Sequence, residues 1–245
     1  MKPERVYFYG TCMVDLFFPE AGLAGIKLLR RAGVEVLFPE GQTCCGQPAF
    51  NCGYWEEARA VARTQLALFP EDIPVVLPSG SCAGMMKTHY PELFHGEPEE
   101  ERVRAFGSRV YELTQFLVDV LDLHLQDLGE PVKVTWHHSC HALRDQGVDG
   151  QPQALLAQLA RVDYAPLARS RECCGFGGTF SVRHPEISGT MACDKAADAI
   201  AIGASRVLST DGGCLLNIQG ALEAKGAGMK VQHVAEFLWE RTHAR

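Results

Sequence analysis

The sequence predicts an α/β protein of two pseudo-repeated domains, each a small parallel sheet flanked by helices with cysteine loops at the carboxyl ends of its strands. Two observations predict this class. Cysteines recur in the same order in both halves of the 245-residue chain, and short apolar strands alternate with helical segments. We expect a first cysteine-rich domain over residues 1–129 and a second over residues 130–245.

The repeat is visible in the order and spacing of four cysteines in each half. A first cysteine is followed, after a stretch of nearly equal length in both halves, by an adjacent pair with a glycine and then by a last cysteine. The same order at nearly the same spacing, found twice, indicates an internal duplication with small insertions. The two sets are Cys12, Cys44, Cys45 and Cys82, and Cys140, Cys173, Cys174 and Cys214.

The predicted strands and helices follow one order in each half. Apolar runs predict strands over residues 6–9, 34–38 and 73–77, and again over 132–136, 161–165 and 206–209. Helical spacing predicts helices over 21–32 and 54–68, with counterparts over 152–160 and 185–202. We also expect a long helix over 107–129 that joins the halves, and a strand and helix within 231–239.

The repeated cysteines all follow predicted strands. Ligand sites in parallel sheets lie at the carboxyl ends of the strands, so thiols that are distant in sequence are expected to converge within each half. Thiolates are the ligands of iron–sulfur clusters and of structural zinc, and each half offers four. Adjacent cysteines do not match the spacing of a zinc knuckle and favour a larger, multi-metal centre. We therefore predict all eight repeated cysteines to be metal ligands, and the sequence assigns no residue a catalytic role.

Other residues near these cysteines are predicted to support the metal. Gly46 and Gly175 follow the adjacent pairs, where a glycine allows close backbone approach and exposes N–H groups to sulfur. His137 and His141 bracket one first cysteine and could ligate metal, relay a proton or hold a backbone carbonyl. Cys52 and Cys193 have no counterpart in the other half. We predict that both are structural, because a free buried cysteine commonly behaves as a small apolar side chain.

Composition and charge exclude several classes of protein. The net charge of −7 and the lack of a Lys/Arg run argue against nucleic-acid binding. No apolar stretch approaches the ~18 residues of a membrane span, and the N-terminus lacks the apolar core of a signal peptide. We expect a cytoplasmic protein without direct membrane insertion. Thiols stay reduced in the cytoplasm, so a cysteine pattern there indicates metal binding or catalysis.

Two alternatives to an iron–sulfur centre follow from the same residues. Vicinal cysteines can cycle through thiol–disulfide exchange without metal. Zinc in one or both halves would instead make the chain a stabilised scaffold with no redox role.

The chain resembles the cysteine-rich CCG-domain family over almost its whole length. Four segments carry the resemblance: YGTCMVD at 9–15, CCGQPAFN at 44–51, HHSCH at 137–141 and CCGFGGTFS at 173–181. The family includes the cysteine-rich subunit of heterodisulfide reductase, the glycolate oxidase iron–sulfur subunit and the lactate-utilisation protein A group. These segments are most similar to the last of these.

The resemblance implies an iron–sulfur electron-transfer subunit with up to two [4Fe–4S] clusters. It implies oxidation of L-lactate to pyruvate together with other subunits of a lactate or 2-hydroxy-acid oxidation complex. The alternatives that it leaves are a disulfide reductase of the heterodisulfide reductase type and a zinc-stabilised scaffold subunit. No G-x-G-x-x-G segment follows a predicted strand, so flavin or nicotinamide binding is expected in a partner.

One departure from the family pattern concerns the metal ligands. The family ends each half with Cys-x-x-Cys, whereas this chain has Met85 and Asn217 in place of the second cysteine. The five-thiolate arrangement of the family therefore cannot apply intact. A four-thiolate centre in each half fits the residues present, and the missing ligand would leave an iron position open.

Overall fold

The computed structural model describes residues 2–243 and contains two four-stranded parallel sheets. The first half forms β1 (Arg5–Phe8), β2 (Glu35–Leu37), β3 (Val75–Leu77) and β4 (Val110–Glu112), in the spatial order β2-β1-β3-β4. The second half forms β5 (Val132–Trp136), β6 (Val162–Tyr164), β7 (Arg206–Ser209) and β8 (Lys230–His233), in the equivalent order β6-β5-β7-β8. The predicted α/β class with two repeated sheets is confirmed.

Helices connect the strands. In the first half they are α1 (Cys12–Phe17), α2 (Pro19–Arg31), α3 (Gln47–Asn51), α4 (Trp55–Ala67), α5 (Gly80–Gly84), α6 (Tyr90–Leu93), α7 (Glu100–Ser108) and α8 (Leu113–Gln115), with π-helical turns at Met85–His89 and Phe116–Val120. In the second half they are α9 (Cys140–Asp145), α10 (Gln151–Ala157), α11 (Phe180–Arg183), α12 (Pro185–Ile202), α13 (Gly212–Ala224) and α14 (Val234–Thr242). Between residues 2 and 243, no helix combines the length and the apolar character that crossing a bilayer requires.

The central strands form where the sequence is continuously apolar. All three residues of β3 are fully buried, as are Val6 and Phe8 of β1. Strands covered on both faces need apolar side chains on both faces, which explains the unbroken apolar runs. Helix α2 begins with Pro19 and carries Arg30 and Arg31 in its last turn, which suits the geometry of its start and the dipole at its end.

The predicted long helix over residues 107–129 is wrong. Val110–Glu112 instead pairs in parallel with β3 as an edge strand. The carboxylate of Glu112 then accepts the backbone N–H groups of Thr114 and Gln115 at 2.8 and 3.2 Å, which starts a new short helix. The π-helical turn after it ends before Asp122, whose φ of 48° is left-handed. Apolar spacing alone does not separate a helix from this strand–helix sequence.

The edge strand completes the repeat. The strand and helix predicted within residues 231–239 are confirmed by β8 and α14, and β4 with α8 occupies the same place in the first half. Each half therefore has four strands, one more than the sequence predicted for the repeat itself. The division of the chain after residue 129 stays a prediction.

The largest apolar core joins the two halves. Helix α14 of the second half packs along α2 of the first, while α8 and the π-helical turn after it pack against α10. Phe8, Phe116, Trp136 and Phe237 are buried together in this core. Arg31 also donates a hydrogen bond of 2.7 Å across the halves, to the carbonyl oxygen of Thr242. The last helix of each half thus completes the core of the other.

The shared core predicts that the halves unfold together. We expect Phe237→Ala to lower the free energy of unfolding by about 3–5 kcal/mol, because it empties a fully buried site. Unfolding in urea, monitored by far-ultraviolet circular dichroism, should show a single transition that shifts to a lower urea concentration. Val182→Ala is the control, since Val182 is 81% exposed and its removal should change stability by less than about 0.5 kcal/mol. Two separate transitions would contradict the shared core.

Candidate metal centre

The repeated cysteines lie after the carboxyl ends of strands, in the loop or helix that follows. Three of them lie at helix starts where a side-chain oxygen accepts a backbone N–H. These caps are Thr11 beside Cys12 (3.4 Å), Ser79 (3.4 Å) and Ser139 (3.5 Å). The capping residues help to fix the direction in which Cys12, Cys82 and Cys140 leave the sheet.

The Cys-Cys-Gly loops depend on the predicted glycines. Gly46 and Gly175 have φ values of 85° and 86°, a left-handed conformation that favours glycine. The N–H of Gly46 donates to Cys44 Sγ at 3.4 Å, and that of Gly175 donates to Cys173 Sγ at 3.3 Å. A Cβ atom at Gly175 would also lie 2.7 Å from the carbonyl oxygen of Ser188. Both glycines therefore place a donor on a thiol.

The first set of thiols converges after β1, β2 and β3. Cys45 and Cys82 are buried with their sulfur atoms 3.5 Å apart, while Cys12 and Cys44 are half-buried. Hydrogen bonds with the thiols of Cys12 and Cys45 lower the pKa of Cys44 to about 3. The same contact with Cys44 raises the pKa of Cys12. The set therefore places a stabilised Cys44 thiolate beside the protonated thiol of Cys12.

The second set repeats this arrangement. Hydrogen bonds with the thiols of Cys140 and Cys174 lower the pKa of Cys173 to about 2. The same contacts with Cys173 raise the pKa of Cys140 and of Cys174. Because the thiolate is the form that binds metal, each half has a preformed anionic ligand beside three further thiols. This donor set, with its N–H donor from glycine, fits a thiolate-ligated metal centre in each half.

Both sets face one cleft between the halves. All eight repeated cysteines line it, and it contains about 790 Å³ of empty space including the part open to solvent. Gln47, Phe176 and His141 lie among its other lining residues. The sequence predicted convergence within each half; the structure adds that the two sets face each other.

The cleft is held by a buried carboxylate that crosses between the halves. Asp211, which is 4% exposed, accepts hydrogen bonds from the hydroxyl groups of Ser79 (2.9 Å) and Ser81 (2.6 Å) and from the N–H of Ser81 (3.1 Å). Beside it, a Cβ atom at Gly80 would collide with that of Ala142. Only a glycine allows α5 and α9 to approach so closely. These contacts were not predicted from the sequence.

A second contact between the halves surrounds Asp145. Its Oδ2 atom lies 2.6 Å from Nδ1 of His141 and 3.4 Å from Nε2 of His89, which belongs to the first half. Burial alone would raise the pKa of Asp145, but the hydrogen bonds with both histidines lower it. The hydrogen bond with Asp145 in turn raises the pKa of His89. His141 was predicted; no feature of the sequence indicated His89 or Asp145.

His137 lies directly against the second set. It is fully buried, and burial lowers its pKa to about 3, so its imidazole is neutral. One of its ring nitrogens and the sulfur atoms of Cys174 and Cys214 all lie within 4.8 Å of one another. The structure thus places His137 beside the predicted ligands.

The remaining residues singled out by the sequence do not line the cleft. Met85 is fully buried in an apolar core. The side-chain amide of Asn217 donates to the carbonyl oxygen of Cys174 at 2.8 Å and so supports the second loop. Cys52 Sγ lies 3.1 Å from the hydroxyl of Thr179, and Cys193 packs against the core of the second half. Neither cysteine lines the cleft.

Comparison with known proteins links the chain to one family. A model of the cysteine-rich domain CCG matches residues 6–87 and 134–219, once in each half. "Lactate utilization protein A" of Geobacillus kaustophilus strain HTA426 is 44% identical over 237 residues, covering 96% of this chain and 98% of that protein. The protein of the same name from Shouchella clausii strain KSM-K16 is also 44% identical, with the same coverage.

One solved structure shows the same fold at low sequence identity. A crystal structure of a hypothetical protein from Helicobacter pylori aligns with a TM-score of 0.68 at 11% identity. The alignment covers 100% of this chain and 50% of that chain.

The lowered thiol pKa values predict selective alkylation. In reduced, metal-free protein at about pH 6, Cys44 and Cys173 should react with iodoacetamide at least about tenfold faster than Cys193. At this pH, which is well below the usual thiol pKa of about 8.5, their lowered pKa values keep them in the reactive thiolate form. Peptide mass mapping after short exposure measures the rates. Cys193 is a suitable control because it is also half-buried but lies outside the cleft. Faster labelling of Cys193 would contradict the assignment.

The contact around Asp145 predicts a pH-dependent stability. Asp145→Asn should lower the free energy of unfolding by about 1–3 kcal/mol at about pH 6. The pKa of His89 is raised in the folded protein, so the ion pair of His89 with Asp145 stabilises the fold fully at a pH below the ordinary histidine pKa. This stabilisation is lost as the pH rises through the raised pKa of His89. The effect should therefore shrink at about pH 9 in urea titrations. Asp163→Asn, on an exposed strand position, should change stability little at either pH; an equal loss there would contradict the prediction.

Proposed function

Because this chain belongs to the CCG family of cysteine-rich domains, we propose that it is an iron–sulfur electron-transfer subunit with a role in lactate utilisation. The relatives named for lactate utilisation match nearly the whole chain and are themselves covered nearly completely. The similarity to these relatives therefore concerns both halves of the chain and not one domain alone. The finer proposal is that the chain serves a multi-subunit oxidoreductase that oxidises L-lactate to pyruvate.

The observation that carries the proposal is the pair of equivalent thiol sets on one cleft. A single structural zinc site needs one set of four ligands and no partner set. Two thiol sets that face each other across one cleft support a proposal of two centres that exchange electrons. We propose a [4Fe–4S] cluster in each half, held by the four cysteines of its set, with zinc in either half as the alternative metal.

The residues around the thiols would hold and tune these centres. Cys44 and Cys173 supply thiolates before any metal arrives, and the N–H groups of Gly46 and Gly175 donate to their sulfur atoms. Hydrogen bonds to sulfur raise the reduction potential of iron–sulfur clusters. When bound, the clusters supply one-electron transfer. The chain itself orients the ligands and limits the access of water to Cys45 and its equivalent, both of which are buried.

Partner subunits would carry the chemistry on the 2-hydroxy acid. Apolar side chains are exposed beside the first thiol set: Leu16 (70%) and Phe38 (52%) line a groove with Cys12, and Leu23 continues it. Exposed apolar clusters of this kind mark docking surfaces. We propose that another subunit of the oxidation complex covers this groove and exchanges electrons with the centre behind it. The ten cysteines are free thiols, which suits a cytoplasmic location.

Disulfide reduction is the second candidate function. It is favoured by the pairing of a thiolate with a protonated neighbour in both Cys-Cys-Gly loops. A cysteine thiolate attacks one sulfur of the substrate disulfide, which forms a mixed disulfide and releases the other substrate sulfur as a thiolate. The neighbouring cysteine, as its thiolate, then attacks the cysteine sulfur of the mixed disulfide, which releases the second substrate thiolate and leaves the pair oxidised. This chemistry would need no metal and would require an external thiol to reduce the pair again.

Metal analysis of anaerobically purified protein tests the proposal. We expect iron and acid-labile sulfide in near-equal amounts, with visible absorbance that a reductant bleaches. The double variants Cys44→Ser/Cys45→Ser and Cys173→Ser/Cys174→Ser should each lose about half of the iron, because each removes two ligands from one set. Cys193→Ser is the matched control and should keep the iron of the wild type.

Each other outcome has a definite meaning. Zinc without sulfide would exclude electron transfer by this chain and leave a scaffold. A metal-free protein that reduces disulfides and loses this activity on alkylation of Cys44 would establish the second candidate. Loss of all iron from either double variant, with circular dichroism unchanged, would replace two centres by one shared centre.

A further inference from the structure

His137 is a buried imidazole that makes no hydrogen bond within the described chain. Its side chain is fully buried, and neither Nδ1 nor Nε2 has a partner among residues 2–243. Leaving a buried polar atom unpaired costs about 1–3 kcal/mol. Buried polar groups are otherwise nearly always paired, so a doubly unpaired ring needs a physical explanation.

Other buried histidines of the described chain are partnered. Nε2 of His233 lies 2.9 Å from the carbonyl oxygen of Pro78 and 3.0 Å from that of Thr210. Nε2 of His138, the neighbour of His137, lies 3.2 Å from the amide nitrogen of Gln153. The lack of partners at both nitrogens is therefore particular to the ring that lies against the thiols.

The nearest donor atoms to His137 are those of the second thiol set. One of its ring nitrogens and the sulfur atoms of Cys174 and Cys214 lie within 4.8 Å of one another, and all three residues are buried. Ligands that lie about 2.0–2.3 Å from one metal are within roughly 4.6 Å of each other, so this spacing is compatible with a metal bound between the three atoms. A neutral imidazole is the form that ligates metal.

The corresponding position of the first half holds a tyrosine. Tyr9 stands in the same place relative to Cys12 as His137 does relative to Cys140. Its hydroxyl donates a hydrogen bond to the carbonyl oxygen of Thr43, so this polar group has a partner within the protein. The duplicated position is satisfied in one half and left without a partner among the described residues in the other.

We propose that His137 ligates the metal centre of the second half, so that the two halves hold chemically different centres. The first centre is ligated by thiolates alone; the second has thiolates and one imidazole. Because imidazole is neutral, His137 adds a ligand to the second centre without the negative charge that a further thiolate would bring, and net charge is one of the factors that set the reduction potential of iron–sulfur centres. This inference depends on one part of the proposed function, namely that the second half binds a metal centre.

Pulsed electron paramagnetic resonance tests the ligation directly. The Cys44→Ser/Cys45→Ser background, which retains only the second centre, is loaded with iron and sulfide without oxygen and labelled with ¹⁵N-histidine. The reduced protein should show a strong ¹⁵N hyperfine coupling that is absent in His137→Gln and in His137→Cys. His137→Cys should keep its iron, because a thiolate replaces the imidazole, whereas His137→Gln should bind metal at least about tenfold more weakly.

His138→Gln is the matched control, because His138 is the adjacent buried histidine and already has a hydrogen-bond partner. It should keep the full ¹⁵N coupling. If the second centre holds zinc, imidazole scattering in X-ray absorption at the zinc edge replaces the coupling as the readout. A loaded second centre with only the weak coupling of a hydrogen bond, or with no change in His137→Gln, would overturn the ligation alone. A protein that binds no metal would overturn both this inference and the proposed function.

Discussion

The close approach of α5 and α9 is the constraint on which the candidate site depends. Gly80 lets the helix that carries Cys82 pack directly against the helix that begins at Cys140. The buried carboxylate of Asp211 then fixes Ser81, next to Cys82, from the opposite half. Each half gathers its own thiols, and this contact lies where the two sets meet on one cleft. The placement of both thiol sets on one cleft therefore arises between the repeats rather than within them.

The shared core makes this contact part of folding rather than of later assembly. Helix α14 covers α2, and α8 with its π-helical turn covers α10, so each half depends on the other to bury its apolar face. Here the interface is continuous with the core and includes fully buried aromatic rings such as Phe116 and Phe237. The relative position of the thiol sets is consequently fixed by the same interactions that stabilise the fold.

Local patterns predicted most of the fold, and contacts between the halves explain what they missed. The strands at Val132–Trp136 and Arg206–Ser209 and the helix at Pro185–Ile202 form at the predicted residues, because apolar spacing and turn residues specify them locally. The predicted helix over 107–129 failed because its apolar residues form an edge strand against β3. The contact of Asp211 with the other half was not predicted. Its equivalent position in the first half is Ser79, and these two positions bind each other with different side chains, so the repeat did not indicate the contact.

Duplication gave the two halves the same thiols but not the same surroundings. Beside the second set lie the unpaired ring of His137 and the buried ammonium of Lys195, which acts electrostatically on Cys174 and Cys214. The first set has the phenol of Tyr9, turned away into a hydrogen bond with the backbone. A nearby cation favours the reduced form of a metal centre, and an imidazole ligand adds no negative charge that would oppose it. Two centres with unequal environments on one cleft would give electron flow a direction, which two identical centres could not do.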